Sequence, residues 1–322
     1  MLTEIASSPS VSAFAADVRA GLGKAGQKEL PSKYLYDALG SKLFEAICEL
    51  PEYGLTRADE RVLRAHANEL ADRITEDVIV CELGSGSGRK TRYVLEALSR
   101  DRHIQYFPIE ISPTALAVCR RELSDIGSVG IVGLEREYLD GLLEVAALRR
   151  PGQRILVLFL GSTIGNFSHP ADQNFLLEIR RILDAGDLLL LGTDLDKSTA
   201  RLIEAYDDPT GVTAAFNLNL LGRINRELGG NFQLDQFKHL AKVNPETRSV
   251  ELHLSSSQRQ SVTIEAAEMS VEFDAGELIW TENSHKYLLS EVRDLAAATG
   301  FTCGAQWVDR EWPFAENLLI AA

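Results

Sequence analysis

One glycine-rich segment restricts the possible folds more than any other part of the chain: residues 82–91 read Glu-Leu-Gly-Ser-Gly-Ser-Gly-Arg-Lys-Thr. The apolar residues 78–81 precede it, and such a run is typical of a strand buried on both faces of a parallel sheet. Helical spacing resumes over residues 91–98. Glycines tolerate positive φ in a tight turn and let a ligand lie against the backbone. The segment therefore predicts a strand, a nucleotide-binding loop and a helix.

The identity of the ligand depends on the spacing of the glycines. A dinucleotide loop, G-x-G-x-x-G/A, would have a small residue in place of Arg89. Glu82, at the start, suits S-adenosylmethionine, which carries a positive sulfonium and no phosphate. A second predicted strand ends in Glu110, whose carboxylate can hold two ribose hydroxyls. These features favour a methyltransferase loop over a dehydrogenase loop, and an ordinary glycine-rich turn is the third interpretation.

Composition excludes several other classes. The chain has 47 acidic and 33 basic residues, a formal net charge of −14, which repels a phosphate backbone. The four cysteines and six histidines are dispersed and lack metal-binding spacing. We therefore expect no nucleic-acid partner and no metal, and we expect Cys81 and Cys119 to be buried, reduced thiols.

The amino terminus shows no targeting signal, since residues 1–20 lack a basic start followed by an apolar core. No stretch reaches about 18 uninterrupted apolar residues, the length that a membrane span needs. We expect a cytoplasmic protein without a membrane partner, and we expect a monomer.

Predicted helices and strands alternate from about residue 56 to residue 196, as in a doubly wound α/β sheet. The predicted strands are 77–83, 104–110, 130–134, 154–160 and 187–194. The predicted helices are 57–73, 90–99, 113–125, 137–149 and 170–184. Ser112 and Pro113 predict the N-cap and first position of the third helix. Residues 184–187 predict the turn into the fifth strand.

Two segments, 1–56 and 197–286, do not follow this alternation. The first is predicted to be helical and contains several aromatic side chains. In the second, a long helical stretch is predicted over 198–228. Period-2 alternation then predicts antiparallel strands at 249–254 and 262–265, with one face in solvent.

The alternation returns near the carboxyl end, with a helix predicted at 288–298 and strands at 302–308 and 315–321. We therefore expect an interrupted nucleotide-binding fold and a second domain built from the interrupting segments. The expected domains are 57–196 with 287–322, and 1–56 with 197–286.

A second motif, Phe-Leu-Gly-Ser-Thr-Ile-Gly-Asn at residues 159–166, closes the fourth predicted strand. Open α/β sheets bind their ligands at the carboxyl ends of the strands. Asn166 can therefore belong to a catalytic edge. The alternative is a capped strand-to-helix turn in which Asn166 bonds its own backbone, and the spacing alone does not choose between them.

Longer motifs are distributed along the chain. They are Glu-Leu-Gly-Ser-Gly at 82–86, the strand end at 159–166, Gly-Thr-Asp-Leu at 192–195, Ala-Tyr-Asp-Asp at 205–208, Gly-Val-Thr-Ala-Ala-Phe-Asn at 211–217, Asn-Arg-Glu-Leu at 225–228 and Thr-Glu-Asn-Ser at 281–284. Together they resemble the histidine-specific N-alpha-methyltransferases of ergothioneine biosynthesis, over nearly the whole chain. Such enzymes use S-adenosylmethionine, without a metal, to methylate the α-amino group of L-histidine three times, giving hercynine.

The resemblance implies a class I methyltransferase fold, a Rossmann-like doubly wound sheet, with a second α+β domain that binds the substrate. It assigns Tyr36 to the reacting amine. The remaining substrate residues that it implies are Phe44 beside the amine, Tyr53, Asn166 and Tyr206 around the carboxylate and amino groups, Glu282 and Ser284 at the imidazole nitrogens, and Leu252 beside the ring.

The resemblance also implies a set of cofactor-binding residues. They are Gly84, Gly86 and Lys90 on the loop, Glu110 at the ribose, and Glu137 and Tyr138 on the adenine side. The chain departs from the family where Leu252 replaces the methionine of better-known relatives and where Gly54 and Leu55 replace tyrosine and proline.

Three alternatives have different sequence signatures. A methyltransferase for another amino acid, such as tryptophan, would need no counter-charge, whereas Glu282 and Ser284 are present. An inactive cofactor-binding scaffold would not need Tyr36, Asn166 and Tyr206. A nicotinamide-dependent oxidoreductase would require the other glycine spacing.

Overall fold

The structure is a computed structural model that describes residues 11–322. Its helices are α1 Val11–Leu22, α2 Ala38–Glu49, α3 Leu55–Asp72, α4 Thr91–Leu98, α5 Pro113–Leu123, α6 Tyr138–Ala147, α7 Ala171–Ile182, α8 Thr199–Tyr206, α9 Val212–Leu228 and α10 Leu289–Ala298. Its strands are β1 Lys28–Glu29, β2 Val78–Leu83, β3 Ile104–Ile109, β4 Val129–Ile131, β5 Arg154–Phe159, β6 Leu188–Asp194, β7 Phe237–Asn244, β8 Ser249–Ser256, β9 Gln260–Ile264, β10 Met269–Phe273, β11 Leu278–His285, β12 Phe301–Asp309 and β13 Phe314–Ala321. Short 3-10 helices lie at Ser32–Leu35, Thr163–Asn166 and Leu234–Gln236.

The chain folds into two units, each made of two segments. The first unit comprises the described chain up to Tyr53 together with Ser198–Ser284, and the second comprises Gly54–Lys197 together with His285–Ala322. The functions that the sequence suggests for the two units stay predictions.

The second unit is built on a seven-stranded sheet with the order β4-β3-β2-β5-β6-β13-β12. The strands from β4 to β6 are parallel to their neighbours, whereas β13 runs antiparallel to both β6 and β12. All six residues of β2 are buried, as expected for a central parallel strand. The order reverses between β2 and β5, which is where doubly wound sheets bind ligands. The predicted doubly wound α/β fold is confirmed.

Local capping signals in this unit are also confirmed. The Ser112 side chain accepts a hydrogen bond from the Ala115 backbone N–H at 3.3 Å, and Pro113 occupies the first turn of α5. Asp187 closes the turn into β6, since its backbone N–H donates to the Asp184 carbonyl at 3.1 Å. Cys81 and Cys119 are buried free thiols, as predicted.

The first unit contains a four-stranded sheet with the order β1-β11-β8-β7 and the separate antiparallel hairpin β9–β10. Strands β7 and β8 pair antiparallel along their whole length, from Phe237 opposite Ser256 to Asn244 opposite Ser249. The sequence patterns indicate β8 and β9 but miss β7, β10 and β11. The prediction that the amino-terminal segment is helical holds for α1 and α2 but not for β1, and residues 1–10 lie outside the described chain.

The long helical stretch predicted over 198–228 is confirmed, and it consists of two helices because the chain turns sharply between α8 and α9. Asp208 accepts hydrogen bonds from the backbone N–H groups of Val212 and Thr213, at 3.1 and 2.7 Å. Burial opposes ionisation, but the bonds from Thr210, Thr213 and Val212 hold the pKa of Asp208 well below its usual range. Gly211 adopts φ 77°, a left-handed conformation that ends any continuous helix. Tyr206 consequently stands at the end of α8.

Within residues 11–322, no helix is both long and apolar enough to cross a bilayer.

Candidate active site

The glycine loop lies between β2 and α4, at the carboxyl edge of the sheet. Gly84 has φ 75° and donates its backbone N–H to the Ile109 carbonyl of β3 at 2.8 Å. A Cβ on Gly84 would lie 3.0 Å from the Tyr138 hydroxyl oxygen, whereas a Cβ on Gly86 would have no heavy atom within 4 Å. The loop is therefore held at its base by β3 and leaves open space above Gly86, which suits a ligand that lies on the backbone.

Glu110 follows β3 and faces this loop. Its two carboxylate oxygens accept the Ser112 backbone N–H at 3.1 Å and the Gly86 backbone N–H at 3.4 Å. Burial raises the pKa of Glu110, while these backbone bonds act in the opposite direction. The structure thus brings Glu110 beside Gly86, as a carboxylate that holds ribose hydroxyls would require.

The two residues predicted for the adenine side, Glu137 and Tyr138, lie in different environments. Tyr138 packs edge-on against Phe159 and Phe175, with ring centroids 5.7 and 6.1 Å away. Burial, and then the charge of Glu110, raises the pKa of the Tyr138 phenol, so Tyr138 shares the environment of Gly84 and Glu110. Glu137 precedes α6, is exposed and makes no side-chain cap.

Glu82 lies beneath the loop. It is buried and accepts hydrogen bonds from the Thr91 hydroxyl, at 2.7 Å, and from the Tyr106 hydroxyl. Burial raises the pKa of Glu82 to about 7 despite these bonds. Because Thr91 is the first residue of α4, Glu82 fixes the point at which the loop becomes a helix.

Lys90 ends the loop, and its ammonium pairs with Asp59 of α3. The Asp59 carboxylate is fully buried. Sequence reasoning identified Lys90 but not Asp59, which has no motif of its own within an ordinary amphipathic helix.

The first unit contains a cluster of five aromatic rings. Tyr36 lies 5.5 Å from both Phe44 and Phe216, measured between ring centroids, and Phe44 lies 6.5 Å from Tyr53. Tyr53 meets Tyr206 edge-on at 5.8 Å. The structure thus joins four predicted substrate residues into one aromatic cluster and adds Phe216, whose position on α9 has the spacing of an ordinary core residue.

Asp37 fixes the chain next to Tyr36. Its carboxylate caps α2 by accepting the Gly40 backbone N–H at 2.7 Å. It also accepts the Asn219 amide at 2.7 Å and the Arg226 guanidinium at 2.6 Å, both from α9. The N-cap of α2 and the contacts with α9 together fix the position of Asp37, and hence of the backbone of the neighbouring Tyr36.

Ser284, on β11, connects the aromatic cluster to the four-stranded sheet of the first unit. Its Oγ lies 2.8 Å from the Tyr206 hydroxyl, and both side chains are buried. Glu282 lies two residues earlier on β11, a spacing that places two side chains on the same face of a regular strand. Leu252 is buried on the adjacent strand β8, where its carbonyl accepts the Thr281 hydroxyl at 3.0 Å. Tyr206 and Ser284 thus form a hydrogen-bonded polar pair at the edge of the aromatic cluster.

His239 contacts the backbone of Tyr206. Its Nε2 lies 2.8 Å from the Tyr206 carbonyl oxygen, and the Asn217 amide lies 3.0 Å from its Nδ1. With an amide donating to Nδ1, the ring is neutral and Nε2 is the donor. Burial lowers the pKa of His239, which agrees with that assignment. Sequence reasoning missed this residue together with the whole of β7.

Asn166 belongs to the second unit, in the 3-10 helix that follows β5. The turn before it is tight: Ser162 adopts φ 61°, unusual for a residue other than glycine, and its hydroxyl accepts the Asp194 backbone N–H at 2.8 Å. The backbone of Gly165 closes the turn by donating to the Ser162 carbonyl at 2.9 Å. Asn166 is therefore held at the carboxyl edge of the sheet, next to the switch point.

In the described part of the chain, no group of three or more His, Cys, Asp or Glu side chains is arranged to hold a metal ion. The site instead offers hydroxyls, carboxylates, an amide and aromatic faces, a set suited to binding and orienting a small polar molecule.

A doubly wound sheet with an acidic glycine loop at its switch point is the architecture of a nucleotide-binding enzyme, and the family match identifies the class as S-adenosylmethionine-dependent methyltransferases. Residues 14–321 match the family model described as histidine-specific methyltransferase, SAM-dependent, and the chain belongs to this family.

Relatives with related names cover much or all of the chain. The chain is 42% identical over 308 residues to a histidine N-alpha-methyltransferase of Mycobacterium tuberculosis, covering 94% of this chain and 93% of that protein. It is 39% identical over 322 residues to a protein of the same name from Mycolicibacterium smegmatis, covering 98% and 97%. It is 35% identical over 207 residues to ergothioneine biosynthesis protein 1 of Neurospora crassa, covering 64% of this chain and 24% of that protein.

Proposed function

We propose that this enzyme transfers three methyl groups from S-adenosylmethionine to the α-amino group of L-histidine, giving hercynine, in the first step of ergothioneine biosynthesis. Membership of the histidine-specific family supports the reaction. The observation that carries the substrate assignment is the polar pair beside the aromatic cluster, where the Tyr206 hydroxyl lies 2.8 Å from Ser284, with Glu282 two residues earlier on the same strand.

The residues of the glycine loop fit the methyl donor. Open space above Gly86 accommodates a ligand, and Glu110 presents a carboxylate beside it for ribose hydroxyls. Tyr138 offers an aromatic surface next to the same loop, and Lys90 and Glu137 complete the proposed set. When bound, S-adenosylmethionine supplies a methyl group already activated by the sulfonium, so the protein has to position the acceptor rather than activate the donor.

The acceptor amine must be neutral to attack. An α-amino group has an ordinary pKa of about 8 and is mostly protonated at neutral pH. Partial desolvation among Tyr36, Phe44 and Tyr53 favours the neutral amine, and the Tyr36 phenol orients its lone pair. The methylated ammonium then loses hydrogen-bond donors, and the faces of the tyrosine rings stabilise it by roughly 0.5–2 kcal/mol.

The two ends of the histidine would be recognised by different groups. The α-carboxylate and amine would bind Asn166, Tyr53 and Tyr206, while Glu282 and Ser284 would bond the imidazole nitrogens beside Leu252. An apolar side chain would leave the polar end of the pocket unpaired, a penalty that makes such sites strongly selective. Phenylalanine should therefore be a poor substrate.

We further propose that the enzyme acts without a metal, as a cytoplasmic monomer, with small molecules as its partners. The net charge of −14 supports the absence of a nucleic-acid partner.

A selectivity experiment with Glu282 tests the substrate assignment. Glu282→Ala should lower kcat/KM for histidine strongly and leave the Kd for S-adenosylhomocysteine unchanged, because the carboxylate is assigned to the imidazole. Glu272→Ala, a change at an exposed carboxylate on β10 of the same unit, is the matched control and should leave both constants unchanged. An unchanged histidine kcat/KM in Glu282→Ala would refute the assignment, and faster turnover of tryptophan than histidine by the wild type would favour the alternative substrate.

A further inference from the structure

A buried carboxylate joins the two loops on either side of the switch point. Oδ2 of Asp59, from α3, accepts a hydrogen bond from the Lys90 ammonium at the end of the glycine loop. The same oxygen accepts the backbone N–H of Gly161, just beyond β5, at 3.1 Å. The loops leave the adjacent parallel strands β2 and β5. One side chain therefore sets the spacing between them.

Three oxygens around this contact lack an evident donor. Within the described chain, neither Oδ1 of Asp59 nor either carboxyl oxygen of Glu316 has a hydrogen-bond partner when both groups are taken as ionised, and the two residues are 0% and 1% exposed. Glu316 lies on β13, and its Oε1 is near the same turn: a Cβ on Gly192 would lie 2.9 Å from this oxygen and 3.0 Å from the Gly161 nitrogen that donates to Asp59. Two neighbouring buried carboxyl groups do not both ionise, because the repulsion is too large.

One proton on Glu316 accounts for the missing donor between the Asp59 and Glu316 carboxyl groups. A protonated Glu316 would be a donor for Asp59 Oδ1, while Oδ2 of Asp59 faces Lys90. Burial, and then the charge of Asp59, raises the pKa of Glu316 well above its usual range. The other charged groups facing Glu316 are Lys90, which opposes this shift, and Glu82 of β2, which reinforces it.

We propose that Asp59 is a positioning residue for the methyl donor: together with Lys90 and Glu316, it holds the glycine loop and the Gly161 turn at the separation that binds the adenosyl group. The inference rests on the proposed function only in that this loop binds S-adenosylmethionine, and it is independent of which amino acid is methylated.

Binding of S-adenosylhomocysteine, measured by calorimetry without the acceptor, tests the proposal. Asp59→Asn keeps an acceptor for Gly161 but cannot balance Lys90, so the Kd should rise at least about tenfold, the effect of losing one charge-assisted hydrogen bond. The KM for S-adenosylmethionine should rise by more than kcat falls. Asp172→Asn, at another buried carboxylate of the second unit, is the control and should keep the wild-type Kd.

Two further variants keep the test decisive if Asp59→Asn does not fold. Glu316→Gln retains a donor toward Asp59 and should keep the wild-type Kd, whereas Glu316→Leu should weaken binding. An unchanged Kd in folded Asp59→Asn or Glu316→Leu would overturn the proposal, and weaker binding in Glu316→Gln would overturn the protonated form. If the wild type fails to bind S-adenosylhomocysteine, the proposed function itself is wrong.

Discussion

The hydrogen bond between Tyr206 and Ser284 gives the sharpest quantitative prediction for the substrate pocket. It is 2.8 Å long and buried, and it joins the tyrosine proposed for the amino-acid backbone to the serine proposed for the imidazole. A buried neutral hydrogen bond contributes about 0.5–1.5 kcal/mol net, which corresponds to roughly 2- to 13-fold in a rate or binding constant.

A double-mutant cycle isolates this interaction. Tyr206→Phe, Ser284→Ala and the double variant are compared by kcat/KM for L-histidine at saturating S-adenosylmethionine. Because the two hydroxyls contact each other and are both proposed to contact the substrate, the second substitution should cost about 0.5–1.5 kcal/mol less once the first is present. The product can be followed by mass spectrometry.

A second cycle controls for general effects of removing a buried phenol. The Tyr34 hydroxyl donates to Asp17 at 2.7 Å, so Tyr34→Phe with Ser284→Ala should be additive. Additivity within about 0.3 kcal/mol in the Tyr206 cycle as well would refute the idea that these hydroxyls act on the substrate as one network.

Three further predictions concern residues that support the two sites. The pKa of Glu82 in the folded protein is about 7, above its ordinary value of 4.5. Its contribution to the free energy of unfolding is therefore fully present below pH 4.5 and is lost as pH rises through 7, a change of roughly 3 kcal/mol. Glu82→Gln should therefore flatten the dependence of Tm on pH over this range, and an unchanged slope would contradict the assignment. His239→Leu removes the donor to the Tyr206 carbonyl and should raise the KM for histidine by roughly 2- to 13-fold while leaving the Kd for S-adenosylhomocysteine unchanged; equal effects on both ligands would indicate general damage. Phe216→Leu loses two aromatic contacts, each contributing about 0.5–1.5 kcal/mol, and should destabilise the protein by roughly 1–3 kcal/mol in chemical denaturation while lowering kcat; wild-type stability would show that the ring is not packed as described.

Local sequence signals predicted the fold of the second unit well. The buried run of β2, the glycine loop and the Ser112 cap are each encoded within a few residues, and the structure has all three where they were expected. The break at 207–211 was also encoded locally, by Pro209 and Gly211, but helical apolar spacing continues on both sides and obscured it.

Residues that act through distant partners could not be found in this way. Asp59 gains its role from Lys90 and Gly161, which are far from it in sequence. His239 lies on β7, where buried and exposed residues do not alternate cleanly, so its strand gave no period-2 signal. Such roles depend on strand order and helix packing, which a local pattern does not contain.

The site residues that the family resemblance suggested form two groups in the structure. One group is a row of aromatic rings in which Tyr36 contacts Phe44, Phe44 contacts Tyr53, and Tyr53 contacts Tyr206. Their roles toward a bound amino acid remain predictions, as do those of the residues around the glycine loop.

The most direct test of the central claim is tandem mass spectrometry of the product formed from L-histidine and S-adenosylmethionine, with the other amino acids present in equimolar amounts. We predict trimethylated histidine as the main product, with all three methyl groups on the α-nitrogen. Methyl groups on the imidazole, or methylation of a different amino acid, would contradict the proposed binding of the side chain by Glu282 and Ser284.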